Sequence, residues 1–456
     1  MTVMSEENKG MRKESEEKNK MLTDYQDNAF EDLLKQLDPT GYEEILSGVR
    51  ETIVKDYAPQ VEVKPKVQPL RIAMLAWESL HSISIGGIAA HVTELACALE
   101  RKGHEVHIFT RMAFPGHAQN EKVDGVYYHR IPFSGHHDFV EEVNNMCRSF
   151  AYSLCQVEDY MGAHFDIVHA HDWLTSNAMV WIKQGRGRKG IMTVHSTEYG
   201  RCGNNFYNGP SARIRDHERH GTFCADRVIT VSNALKGEVM WMYNTPDWKV
   251  DTVYNGVNFN HFYGDLDPGY IKERYWIHPM DPVVLFAGRM TEQKGPDILV
   301  EAIPGILHYY PNTKFIFAGD GNLKRSVENR ANQLRVGHAT RFLGHQNSWV
   351  LRDLFKACDC VCVPSRNEPF GIVILEAWSA GKPVVATVNG GPSEFVWHDV
   401  TGYKVHPTPE SVGWGLGTLL SNFDHARWMG NNGKYAAEKD FSWDVISERT
   451  LDVYKK

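Results

Sequence analysis

The stretch Asn367 to Thr387, N-E-P-F-G-I-V-I-L-E-A-W-S-A-G-K-P-V-V-A-T, reads as a loop, a helix and a returning strand. Pro369 and Gly371 break the chain just after Glu368. The run from Ile372 to Ala380 then has helical spacing, with Ile372, Leu375, Ser379 and Ala380 as its inward positions. Gly381 supplies a helix stop, and Pro383 to Thr387 is a short apolar run of the kind buried in an α/β sheet. Glu368 therefore falls in a loop and Glu376 about one turn into the helix. Ligands of such sheets gather at loops off the strand ends, so these two carboxylates are the residues to explain.

The same texture extends outward in both directions. At Leu70 the segment R-I-A-M-L-A is a buried strand, G-G-I-A-A-H-V-T-E-L-A-C-A-L-E-R-K-G-H-E a loop, helix and stop, and V-H-I-F-T the next strand. Further strands are predicted at Ile167 to Ala170, Ile191 to Val194 and Arg227 to Val231. A second half begins near Asp281, where P-V-V-L-F-A-G-R is followed by K-F-I-F-A-G-D-G, C-V-C-V-P-S and P-V-V-A-T. The expected fold class is α/β, with two tandem Rossmann-like domains facing a cleft and an N-terminal helical extension. The cleft between the halves is the default site.

The expected division is residues 1–69 as extension and linker, 70–262 as the first domain, 281–435 as the second, and 436–456 as a terminal helix with Ser442 at its N-cap. Within the extension, residues 1–21 carry too little apolar content to offset the entropy of ordering, and disorder is expected. From Asp27 to Tyr57 the apolar residues recur at helical spacing around Pro39-Thr40-Gly41, which predicts a helical hairpin. A docking or oligomerisation role and simple packing are both open for it. Residues 59–69, with alternating Val and Lys, read as an extended linker.

At 456 residues the chain exceeds one ordinary core. Charged residues at 23% and apolar ones at 42% fit a globular protein, and no run reaches the roughly 18 to 20 apolar residues of a membrane span. The polar N-terminus gives no signal-peptide pattern, and a cytoplasmic location is expected. A net charge of -8 argues against nucleic acid as a partner. Of the eight cysteines, Cys358, Cys360 and Cys362 alternate inside a strand-like run that lacks metal-ligand spacing. Reduced thiols are the simpler account.

The chemistry-bearing segments recur at strand ends. Gly86 and Gly87 lie between a strand and a helix, where bare backbone amides and the helix N-terminus suit a phosphate. His169-Ala170-His171-Asp172-Trp173 follows a strand; its His-x-His pair has no third ligand at motif spacing, so zinc is not expected. His195, in T-V-H-S-T-E-Y-G, is a cleft-wall residue. Arg289 and Lys294 flank a loop after the second half's first strand, as a clamp on diphosphate oxygens would. Gly390 and Gly391 form a second glycine-rich loop, and Gly319-Asp320-Gly321 closes a strand.

In this company the Glu368 to Glu376 stretch resembles the Glu-x7-Glu signature of retaining nucleotide-sugar glycosyltransferases of group 1, which include glycogen synthase-like enzymes. The resemblance covers residues 70–456 and implies the GT-B type of fold. It places His171 beside the transferred sugar, Arg289 and Lys294 on the diphosphate, Glu368 on the donor sugar, and Glu376 on the ribose hydroxyls. Glu368 as a covalent nucleophile and Glu368 as a stabiliser of front-face substitution are both open. Gly86, Gly87, Gly390 and Gly391 fall on the family's phosphate loops. The Gly319-Asp320-Gly321 turn resembles one near the nucleotide base. Where starch and bacterial glycogen synthases usually carry a lysine two residues before the first glycine pair, this chain has Ser84, which weakens a strict assignment to that sister family.

The resemblance implies a nucleoside diphosphate sugar as donor, with no other cofactor and no metal, since no Asp-x-Asp stands at a strand end. T-V-H-S-T-E-Y-G-R-C-G-N and F-S-W-D-V-I look nearest to glycogen synthase-like members, so an α-1,4-glucan is the first acceptor. A small sugar, sugar phosphate or lipid acceptor is the alternative within the class. A non-catalytic nucleotide-sugar- or glucan-binding subunit is the alternative outside it, and a phosphorolytic or epimerising enzyme a further one.

Overall fold

The computed structural model describes residues 68–456; the hairpin expected over 27–57, and all of the linker but its last two residues, lie outside the described residues. Two sheets organise the described chain. The first holds β1 (Arg71–Leu75), β2 (Glu105–Arg111), β3 (Asn120–Val123), β4 (Val126–Ile131), β5 (Ile167–His171), β6 (Lys189–Val194), β7 (Arg227–Thr230) and β8 (Val250–Thr252). Their order is β3-β4-β2-β1-β5-β6-β7-β8, parallel except for the β3–β4 hairpin. The second holds β9 (Val283–Ala287), β10 (Lys314–Ala318), β11 (Thr340–Gly344), β12 (Cys360–Val363), β13 (Val384–Thr387) and β14 (Gly402–Val405) in the order β11-β10-β9-β12-β13-β14, all parallel. The first β-α-β unit of each half turns outward from its central strand, β1 or β9. The strand order reverses there, which is where such sheets open a crevice for ligands. The hairpin β3–β4 has no counterpart in the sequence reading.

The strands are near-continuous apolar runs because helices cover both faces. The helix Ile372–Ser379 stops where Gly381, with φ of 70°, turns the chain back into β13. Its burial differs from the expected stripe: Ile374, Leu375, Ala377, Trp378 and Ser379 are buried, while Ile372 and Ala380 are only half-buried. The helix Phe423–Asp440 packs on its outer side, so an apolar face is needed all round. Trp378 is enclosed there and donates its indole N–H to the Thr401 carbonyl at 3.0 Å. Truncating such a side chain to alanine costs about 3–5 kcal/mol.

One apolar core joins the two halves. Tyr254 of the first half stacks on Phe441 at 6.0 Å, and Phe370 stacks on Phe395 of the second at 4.9 Å. The last helix, Trp443–Lys455, is capped by Ser442 and packs on the helix Gly87–Arg101 of the first half. Arg101–Asp444 at 2.7 Å and Lys102–Glu448 at 2.8 Å line that seam. No helix among the described residues is long and apolar enough to cross a membrane.

Candidate active site

The second half contributes a lysine–carboxylate pair. A short 3-10 turn, Glu292–Lys294, follows β9 and carries Lys294 toward the loop after β12. Lys294 Nζ lies 2.8 Å from both carboxylate oxygens of Glu368, and the Ser365 hydroxyl donates to Glu368 Oε2 at 2.8 Å. Glu368 is only 3% exposed, so this partnering is what makes its burial tolerable. The Glu368 backbone is fixed as well. Gly391 N–H donates to the Glu368 carbonyl at 2.8 Å, and Gly390 adopts φ of 91° at a bridge to Glu368. A Cβ at Gly390 would stand 2.1 Å from that carbonyl oxygen. These glycines let two loops meet, and the Gly391 amide is engaged in that meeting. The Gly319 turn is likewise a close approach, since a Cβ there would stand 1.8 Å from the Gly288 carbonyl oxygen.

Arg289 is exposed to the cleft, with one long hydrogen bond, 3.3 Å to Gln293 Oε1. Surrounding protein and then the Arg201 guanidinium lower its pKa, opposed by Glu368, Glu78 and Asp172. Three of these four charged neighbours belong to the first half, so Arg289 faces both walls. Glu376, on the helix Ile372–Ser379, is half-buried and has no charged or hydrogen-bonding side-chain partner among the described residues. Desolvation pushes its carboxyl up to about 7.

In the first half the histidines separate into two roles. His169 is fully buried and satisfied, with Nδ1 at 2.7 Å from the Tyr454 hydroxyl and Nε2 at 2.6 Å from Thr193 Oγ1. His171, two residues on, has Nδ1 at 3.2 Å from His195 Nε2, while its buried Nε2 has no partner among the described residues. Asp172 takes φ of 59°, strained for a residue with a Cβ, and its carboxylate accepts the His195 amide at 2.7 Å. His91, at the start of the second turn of the helix Gly87–Arg101, sits edge-on to His195 and His171, with centroids at 4.5 and 5.3 Å. The histidine from outside the motif thus reaches His171 from another element, which motif spacing could not show.

The Gly86 loop is occupied by the protein itself. Glu78 accepts the Ile85 and Gly86 amides at 2.7 and 2.9 Å, so a carboxylate stands where a phosphate was expected. Burial raises the Glu78 pKa, and the two amide hydrogen bonds oppose it. Glu78, His91, Asp172 and Arg201 had no assigned role in the sequence reading. His91 was read only as part of the G-G-x-x-x-H-V segment that resembles the family's, and Glu78 could have been noticed as a polar residue at a strand end beside the glycine pair.

Across the cleft, Asn367 Nδ2 donates to Asn204 Oδ1 at 2.7 Å, and Glu394 caps a first-half helix, Asn233–Tyr243. Its carboxylate accepts the Asn233 and Ala234 amides at 2.9 and 2.7 Å and the Tyr254 hydroxyl at 3.0 Å. A cavity of about 350 Å³ beside this contact is lined by Asn204, Glu238, Arg366, Asn367 and Asn389, among others. Away from the cleft, Cys358, Cys360 and Cys362 are free and buried in or beside β12, which raises all three thiols, Cys358 to about 12. They are inert core residues.

The family described as "Glycosyl transferases group 1" matches residues 271–435, and "Glycosyltransferase Family 4" matches 85–261. An uncharacterized glycosyltransferase of Methanocaldococcus jannaschii is 36% identical, over 85% of this chain and 98% of its own length. A D-inositol 3-phosphate glycosyltransferase of Actinosynnema mirum is 31% identical, over 81% and 92%. A glycogen synthase of Mycobacterium tuberculosis is 26% identical, over 84% and 94%. Among solved structures, sucrose-phosphate synthase from Thermosynechococcus elongatus superposes with a TM-score of 0.73 at 21% identity, over 85% of this chain and 98% of that one, which supports the GT-B fold. With both halves matched and a glycosyltransferase 36% identical over 98% of its own length, the chain belongs to the group 1 glycosyltransferases.

Proposed function

We propose that this glycosyltransferase is a retaining enzyme that moves a hexose, glucose first, from a nucleoside diphosphate sugar to an acceptor hydroxyl, with an α-1,4-glucan as first acceptor. The observation that carries the reading is the position of Arg289, exposed in the cleft among Glu368 of its own half and Glu78, Asp172 and Arg201 of the other. A leaving diphosphate needs cationic donors with free N–H groups, and this guanidinium has them. Lys294 adds a point charge that the diphosphate and Glu368 share. Glu376, without another side-chain partner among the described residues, accepts the two ribose hydroxyls, a task for the ionised carboxylate.

His171 offers its unpartnered ring nitrogen to a sugar hydroxyl, and Asp172 holds the neighbouring His195 backbone in place. The Gly86 and Gly87 loop meets donor oxygens only when Glu78 releases its amides. Gly390 and Gly391 act through Glu368, whose backbone they fix. In this reading Glu368 stabilises positive charge at the sugar's anomeric carbon while the departing phosphate accepts the acceptor's proton. The reaction needs no metal ion, and the location is cytoplasmic. A second acceptor class, a small cyclitol or sugar phosphate, is favoured by the relative at 31% identity, against 26% for the glycogen synthase.

The test is release of nucleoside diphosphate from ADP-, UDP- and GDP-glucose, with and without glycogen and with a chelator present. Glucan-dependent release with one donor supports the first reading. Release that requires inositol phosphate or glucose phosphate replaces the acceptor, and loss of all release on chelation rejects the metal-free reaction.

A further inference from the structure

Three imidazoles from separate elements bring ring nitrogens together on the first wall of the cleft. His91 stands at the start of the second turn of the helix Gly87–Arg101, His171 ends β5, and His195 follows β6. One ring nitrogen of each lies within 4.8 Å of those of the other two. His91 is 4% exposed and His171 1%, and the Nε2 atoms of both are buried with no hydrogen-bond partner among the described residues. Two orphaned ring nitrogens in one cluster call for an occupant, because buried polar atoms ordinarily find a protein group, a water or an ion.

The cluster also has the supports of a ligand set. His91 Nδ1 pairs with the side-chain oxygen of Asn255 at 2.8 Å, which places the ring proton on Nδ1 and leaves Nε2 as a lone pair. Asp172 holds the His195 backbone, and half-buried His195 keeps one side of the trio toward the cleft. Zinc bonds of about 2.0–2.1 Å at a tetrahedral angle set neighbouring ligand atoms about 3.3 Å apart. The trio's ring nitrogens lie within 4.8 Å of one another, and the 3.2 Å contact of His171 Nδ1 with His195 Nε2 holds two of the rings together. The Asp172 and Glu78 carboxylates offset the Arg289 charge across the cleft, and Asp172 also offsets Arg201 on its own wall.

We propose that His91, His171 and His195 form an inhibitory site for one transition-metal cation, zinc first, which suits imidazole ligands. The ion occupies the cleft beside His171 and excludes the donor sugar. The inhibition rests on the reading that His171 faces that sugar; the binding does not.

The experiment is calorimetric titration of the chelator-treated full chain with zinc chloride alone, followed by nucleoside diphosphate release at increasing zinc. His91→Ala and His195→Ala are compared with His136→Ala/His137→Ala, an exposed pair away from the trio. Thermal melting confirms that each variant is folded. One zinc per chain, weakened at least tenfold in each trio variant and unchanged in the control, is expected. Binding retained by folded trio variants overturns the site. Trio-dependent binding with turnover unaffected by zinc overturns the inhibition and, with it, the place given to His171 beside the sugar.

Discussion

Lys294 Nζ stands 2.8 Å from each carboxylate oxygen of Glu368, so the two residues expected to serve opposite ends of the donor are each other's partner. Glu368 is 3% exposed, and among the described residues only the Ser365 hydroxyl would remain to its carboxylate without the lysine. Lys294→Ala should lower turnover at least ~100-fold, about 2.7 kcal/mol. It should also destabilise the fold, by ~1–3 kcal/mol, through the stranded carboxylate. In a melting experiment Lys294→Ala/Glu368→Gln should recover most of that stability while remaining inactive. An active double variant would remove both residues from the reaction.

Glu376 supplies a pH dependence of known sign. Its carboxyl is raised from the usual 4.5 to about 7 by desolvation, and only the ionised form accepts two ribose hydroxyls. Donor affinity should therefore rise as pH increases through about 7 and fall below it. Folding runs the other way: a carboxyl raised in the fold contributes stability below its unfolded value, and that share is lost as pH rises through about 7. Glu376→Gln should bind donor about tenfold more weakly at pH 8 and show a flat profile. Calorimetric titration at several pH values decides it, and a persistent slope in the variant would assign the titration elsewhere.

The strand runs and their closing glycines made the fold legible, because a strand covered on both faces is written as an uninterrupted apolar stretch between turn residues. Lys294, Glu368 and Glu376 were legible for the same reason, since each lies at a fixed offset from such a stretch. Their partnerships were not. The Lys294–Glu368 contact spans 74 positions, and the Glu394 contact with Asn233 spans 161. Local periodicity carries no information about which charges meet across a cleft. Glu78 went unread because an acid before a glycine pair looks like a solvated loop residue until the amides it accepts are seen.

Glu394 links the halves by capping a helix that belongs to the other one. Its carboxylate takes two amides at the start of Asn233–Tyr243 and the Tyr254 hydroxyl. That helix keeps its own cap, since Ser232 Oγ accepts the Leu235 amide at 3.1 Å. Loss of Glu394 should therefore cost domain apposition more than helix stability. Glu394→Ala is expected to lower kcat/KM about tenfold, ~1.4 kcal/mol, to shift melting little, and to enlarge the radius of gyration in solution scattering. Unchanged scattering with unchanged kinetics would reduce the contact to surface decoration.

Glu78 decides how the first glycine loop is used. Its carboxylate holds the Ile85 and Gly86 amides and lies among the charges acting on Arg289, so an arriving diphosphate competes with it for both. Glu78→Gln keeps an oxygen acceptor for the loop and removes the charge. Nucleoside diphosphate should then bind a few-fold more tightly, and the salt dependence of binding should steepen as Arg289 loses a counter-charge. Glu78→Ala should bind similarly but melt lower, because an amide loses its acceptor in a partly buried turn. If Glu78→Gln instead weakens binding severalfold, the carboxylate touches the donor directly, and the glycine loop is not a phosphate site held in reserve.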